Sequence, residues 1–195
     1  MTSKETIFSL FSAACARQAE QPAVKDNVAS LTYAEFAALV DRMAAGLFTA
    51  GVRPGTPVAL NLSRQLHLPA AILAVLRLGG IYVPLDPTAP ALRRKLCLDN
   101  IGATHVVCDA PCAELGGRQL LLTDLAQTAT VSLPPLPDTA EVVAVIFTSG
   151  TTGVPKGVEI TETGILRLAR DPRYVALLPG MRMACLSNPA FDALT

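Results

Sequence analysis

Ten consecutive residues late in the chain concentrate its chemical potential. The run Thr148-Ser-Gly-Thr-Thr-Gly-Val-Pro-Lys-Gly157 holds four hydroxyls, three glycines, one proline and one lysine. Glycines let backbone N–H groups converge where a side chain would intrude, and such a nest attracts an anion. Hydroxyls add neutral donors, and Lys156 adds a compact positive charge suited to a polyphosphate. The stretch before it, residues 142–147 (Val-Val-Ala-Val-Ile-Phe), is short, apolar and β-branched, which predicts a buried strand. Together they read as a strand followed by a phosphate-gripping loop. It is not a Walker A loop, which needs Gly-Lys-Ser/Thr opening a helix. Here Pro155 precedes the lysine and Gly157 follows it. A flexible linker is the plain alternative, but linkers rarely set Pro-Lys-Gly between two β-rich apolar segments.

This loop resembles, at all ten positions, the signature loop of the adenylate-forming superfamily: acyl-CoA synthetases, luciferases and the adenylation domains of nonribosomal peptide synthetases. The resemblance implies that Thr148, Ser149, Gly150, Thr151, Thr152, Gly153 and Lys156 bind the β- and γ-phosphates of ATP. Lys156 would stabilise charge in the reaction, with Mg²⁺ assisting. Residues 31–36 (Leu-Thr-Tyr-Ala-Glu-Phe) resemble the first core motif of peptide-synthetase adenylation domains. Residues 75–87, ending Tyr-Val-Pro-Leu-Asp-Pro, resemble the second and point to that branch rather than to long-chain acyl-CoA ligases. Phe191-Asp192 resembles the fourth motif, Phe-Asp-x-Ser, whose aspartate pairs with the substrate's α-ammonium group. Asp192 as a simple helix cap is the alternative. Two positions depart from the pattern: Glu162 stands where many members have histidine, and Leu194 replaces the motif serine.

The implied activity is ATP-dependent activation of an amino-acid carboxylate as an aminoacyl-adenylate, for loading onto the phosphopantetheine thiol of a carrier protein. Motifs expected later in such a domain are absent from these residues. Residues 1–195 therefore resemble its N-terminal portion, lacking the C-terminal half of the large subdomain and the small C-terminal subdomain, and are expected to be inactive without them. Rival readings are an aryl- or fatty-acid ligase of the same superfamily, and a non-catalytic fragment serving as a binding or assembly module.

The elements that must position these residues predict an α/β fold with a parallel or mixed sheet. A helix spans 6–18, short strands lie at 23–25 and 30–32 around Asp26-Asn27, and Thr32 with Glu35 forms a capping box for a helix ending at Gly51. A strand at 58–62, a helix at 65–78 and a strand at 81–85 form a βαβ unit, with Asp86 as a turn residue capping the next helix, 90–100. Strands follow at 104–108 and 119–122. Residues 123–139, rich in Pro, Ser and Thr, are expected to wrap the surface. After the loop come a strand at 158–160, a helix capped by Thr161 or Thr163, and a strand at 183–187.

Composition narrows the rest. The 195 residues are 51% hydrophobic with a formal net charge of zero and no tryptophan, which argues against a nucleic-acid surface. No run is long enough to cross a bilayer, and no signal peptide is visible. The five cysteines form no zinc spacing, so they are expected to be buried free thiols in a cytoplasmic protein, with no metal site. His67 and His105 are expected to be structural.

Overall fold

The computed structural model describes residues 5–63, 65–137, 141–148, 155–170, 180–185, 188 and 190. Helix α1 (Ile7–Arg17) begins at Thr6, whose hydroxyl accepts from Ser9 N while Ser9 Oγ accepts from Thr6 N. A small antiparallel pair, β1 (Pro22–Lys25) and β2 (Ser30–Thr32), leads into α2 (Tyr33–Thr49). The expected capping box is present there: Thr32 Oγ1 accepts from Glu35 N, and Glu35 Oε2 accepts from Thr32 N. The stripe Phe36, Leu39, Val40, Met43 and Leu47 is buried along one face of α2.

Among the described residues, six strands form the main sheet: β3 (Pro57–Asn61), β4 (Ile81–Pro84), β5 (His105–Cys108), β6 (Arg118–Leu121), β7 (Val142–Thr148) and β8 (Lys156–Thr161). Their spatial order is β6-β5-β3-β4-β7-β8, parallel throughout except for β8, which runs antiparallel to β7 at one edge. This is the α/β class with a mixed sheet. β3 and β4 are joined by α3 (His67–Arg77), and β4 and β5 by α4 (Ala91–Ile101).

Alternate strand residues feed opposite faces. Val58, Leu60 and Tyr82 pack with α2, α3 and α5 (Leu122–Gln127) in the larger core. Ala59, Val83 and Val106 pack with Cys97 and Leu98 of α4 and with Leu115 of a short 3₁₀ turn, Ala113–Leu115. The chain turns at the end of α2 are tied by cations. Arg53 donates to the carbonyls of Phe48 and Val52, and Arg118 donates to the carbonyl of Ala50, which also lies 3.1 Å from His105 Nε2.

Three expectations need correction. The segment from 123 begins with helix: Leu122 and Leu125 are buried against the core, and a six-residue helix is too short to show a periodic signal. Residues 183–185 of the expected strand are exposed and irregular, because no described strand pairs with them; the remainder of that strand, 186–187, lies outside the described residues. Of the five free thiols, only Cys97 and Cys108 are buried, while Cys185 is exposed. Burial raises the Cys97 and Cys108 thiols above their ordinary range, which keeps them protonated and inert.

Gly79 closes α3 with φ +68°, and a Cβ added there would lie 2.5 Å from Pro137 Cγ. Gly102, at φ +66°, closes α4 with nothing within 4 Å of such a Cβ. Gly102→Ala should cost about 1 kcal/mol for the left-handed backbone alone. Gly79→Ala should cost about 1–3 kcal/mol more, because the proline ring cannot rotate away. Paired chemical denaturation checks the ranking, and equal losses would refute the Pro137 contact.

Candidate functional site

The parallel strands β3, β4, β5 and β7 deliver their carboxyl ends to one edge of the sheet. α3 leaves β3 toward one face and α4 leaves β4 toward the other, so the connections diverge between these two strands. In open α/β sheets a crevice opens at such a point, outside the carboxyl ends of the strands. β7 lies beside β4, which brings the start of the signature loop to the same edge.

The loop is closed at its base by β7 and β8. Their register runs to Phe147 opposite Gly157 and Thr148 opposite Lys156, and Thr148 Oγ1 donates a long hydrogen bond, 3.4 Å, to the carbonyl of Lys156. Thr148 and Lys156 are exposed, while Pro155 is buried. Among the described residues no carboxylate forms an ion pair with Lys156. Gly157 has a different task. A Cβ there would lie 2.9 Å from Val145 Cγ1 and 3.3 Å from the Phe147 ring, so the last glycine of the motif lets β8 close onto β7. The sequence-predicted residues Ser149, Gly150, Thr151, Thr152, Gly153, Phe191 and Asp192 lie outside the described residues.

The crevice also carries a polar network that sequence reasoning did not assemble. Asn61, at the end of β3, is 7% exposed, and its Oδ1 accepts from Arg94 Nη1 at 2.9 Å. Arg94 Nε donates to the carbonyl of Ala89. Asp86 was expected to cap α4, but Pro90 occupies the cap position and Asp86 instead closes a turn, accepting from Thr88 N and Thr88 Oγ1. Its other oxygen accepts from Asn188 Nδ2 at 2.7 Å. Asn188 Oδ1 in turn accepts from Ala190 N, two residues before Asp192. Beside this, Asp109 accepts from both the amide and the hydroxyl of Ser63, joining the loops after β3 and β5. A sequence signal existed in part: Asn61 is the one polar residue in Val-Ala-Leu-Asn-Leu.

Glu162, the position where histidine was expected, opens α6 (Glu162–Arg170) at the opposite end of β8 from Lys156. Thr161 Oγ1 accepts from Gly164 N, so Thr161 rather than Thr163 caps that helix. His67 begins α3, and His105 ties the end of α2, as described. Among the described residues no group of three acidic, histidine or cysteine side chains could hold a metal ion, and no helix is long and apolar enough to cross a membrane.

A mixed sheet flanked by helices, with a β7–β8 hairpin that sets exposed Thr148 opposite exposed Lys156, defines an α/β protein. The family model of the AMP-binding enzyme matches residues 11–194, and the chain belongs to that family. It is 34% identical to the nonribosomal peptide synthetase kk1B of Curvularia clavata, over 98% of this chain and 2% of the synthetase. Among solved structures, the nonribosomal peptide synthetase FmoA3 superposes with a TM-score of 0.85 at 31% identity, covering 97% of this chain and 21% of that one. FmoA3 is also known in an AMPPNP-bound form. The N-terminal subdomain of Klebsiella oxytoca NpsA, in complex with 3-hydroxybenzoyl-AMSN, superposes with a TM-score of 0.76 at 25% identity, covering 85% of this chain and 43% of that subdomain. The chain thus spans a small part of its synthetase relatives and less than half of that subdomain. Its likeness is to the N-terminal part of a nonribosomal peptide synthetase adenylation domain.

Burial alone would raise the Asp86 carboxyl, but the hydrogen bonds from Thr88 and Asn188 and the nearby Arg94 charge outweigh it, and the net shift is downward. A carboxylate held below its unfolded value contributes stability that is complete above that value and is lost as pH falls through the lowered one. Carboxyl-carbon NMR titration should find Asp86 ionising below the ordinary aspartate range, and Asn188→Ala should move it upward. An unmoved Asp86 in the variant would refute the contact.

Proposed function

We propose that this chain is the N-terminal portion of an adenylation domain, and that its signature loop grips ATP while an amino-acid carboxylate is activated. The observation that supports this best is the hairpin closure that sets exposed Thr148 and Lys156 side by side where β7 reaches the open edge of the sheet. Thr148, Ser149, Gly150, Thr151, Thr152, Gly153 and Lys156 would bind the β- and γ-phosphates. An oxygen of the substrate carboxylate attacks the α-phosphorus, the bond to the bridging oxygen breaks, and pyrophosphate leaves. Lys156 offsets the charge gathering on that leaving group, while the loop backbone holds it in line.

Asp192, with Phe191, would receive the substrate's ammonium group. Mg²⁺ would travel with the triphosphate, whose oxygens suit a hard cation. The aminoacyl group would pass to a phosphopantetheine thiol on a carrier protein. Use of ATP and five free thiols fit a cytoplasmic setting. A second reading, activation of an aryl acid, is favoured by the NpsA subdomain's 3-hydroxybenzoyl-AMSN complex and by Leu194 in place of the motif serine.

Titration with AMPPNP tests the nucleotide role. Lys156→Ala should weaken binding about tenfold, the loss of one charge-assisted contact, with an unchanged circular dichroism spectrum. Equal affinity in the folded variant would refute it. ATP–pyrophosphate exchange with a panel of amino and aryl acids then separates the two substrates. Exchange by the 195-residue chain itself that falls in the variant would overturn its expected dependence on the rest of the domain.

A further inference from the structure

The end of the hairpin remote from Lys156 holds a buried charge that phosphate binding does not use. Glu162 is 4% exposed, its amide donates to the carbonyl of Glu141, and its Oε1 accepts from Ile7 N at 2.8 Å. That contact joins residues 155 positions apart and places a carboxylate at the N-terminus of α1, where the helix dipole favours it. Glu162 Oε2 is also buried but has no hydrogen-bond partner among the described residues. Glu162 lines a cavity of about 20 Å³ together with Thr6, Phe8, Gly79, Leu136 and Val143. Thr6 is likewise 4% exposed, and its Oγ1 accepts from Ser9 N. The Thr6 hydroxyl proton has no acceptor among the described residues.

A bare carboxylate oxygen in such surroundings is costly, and its cheapest remedy is a donor small enough for the space. The cavity has room for one water, with an acceptor at Glu162 Oε2 and a donor at Thr6 Oγ1. A divalent cation would need several more oxygens than these walls offer. We propose that this cavity is a binding site for a single water molecule, donating to Glu162 Oε2 and accepting from the Thr6 hydroxyl, and that Glu162 with this water fastens α1 to the base of the phosphate-loop hairpin. Glu162 is then a positioning residue. A second tie, the ion pair of Glu5, just before α1, with Arg170 at the end of α6, lies on the surface.

Two measurements on the full chain test this, and neither depends on nucleotide binding, so failure of the ATP reading would leave them intact. A high-resolution crystal structure should show one water within hydrogen-bond distance of both Glu162 Oε2 and Thr6 Oγ1; an empty cavity overturns the site. Amide hydrogen exchange should show Ile7 opening about tenfold faster or more in Glu162→Ala. Glu162→Gln, which keeps the Oε1 acceptor, should retain wild-type protection at Ile7. Equal exchange in all three proteins overturns the fastening role. Where Glu162→Ala does not fold, the occupancy of the cavity in the wild-type crystal decides.

Discussion

The fold depends on two strands being covered on both sides. Val58, Ala59 and Leu60 of β3 and Val83 of β4 are completely buried, and Tyr82 of β4 nearly so. A strand with helices on both faces cannot alternate apolar with polar, so these segments are continuous apolar runs. Covering both faces sends α3 one way and α4 the other, and that divergence opens the crevice at the strand ends. Only at those ends can polar groups enter without being stranded in hydrocarbon. Asn61 and Asp86 sit there, one held by Arg94 and the other by Thr88 and Asn188. Within β3 and β4, polarity is confined to the strand ends where these partners can satisfy it.

Much of this was legible in the residues. Helix α2 announced itself through Thr32, Glu35 and the stripe from Phe36 to Leu47, all within one local segment. The βαβ unit and the glycine- and hydroxyl-rich loop were equally local. What escaped was non-local. Nothing in the spacing pairs Asn61 with Arg94, 33 residues on, or Glu162 with Ile7, because each contact depends on how the sheet orders its strands. Helix α4 shows the same limit: Leu92 and Leu96 look like core positions, yet they are exposed and the helix buries Cys97 and Leu98 instead.

The signature loop combines two kinds of residue that a sequence pattern cannot separate. Lys156 and Thr148 face outward from the hairpin mouth. Gly157 faces Val145 and Phe147, and its missing side chain is a condition for strand pairing. A motif read as a phosphate grip is therefore partly a statement about β7 and β8. The motif and the edge of the sheet share one short stretch of chain, and Gly157 belongs to both.

Tyr82 gives the core an optical signature. The chain has no tryptophan and three tyrosines, and Tyr82 lies in β4 at 3% exposure, packed in the larger core. Burial pushes its phenol far above tyrosine's ordinary range. The folded chain thus keeps that proton where an unfolded chain would release it, so alkaline pH draws down the stability of the sheet itself. Tyrosinate absorbance from this ring reports separation of β3 and β4 from their helices, giving a dye-free view of the layer that carries the site.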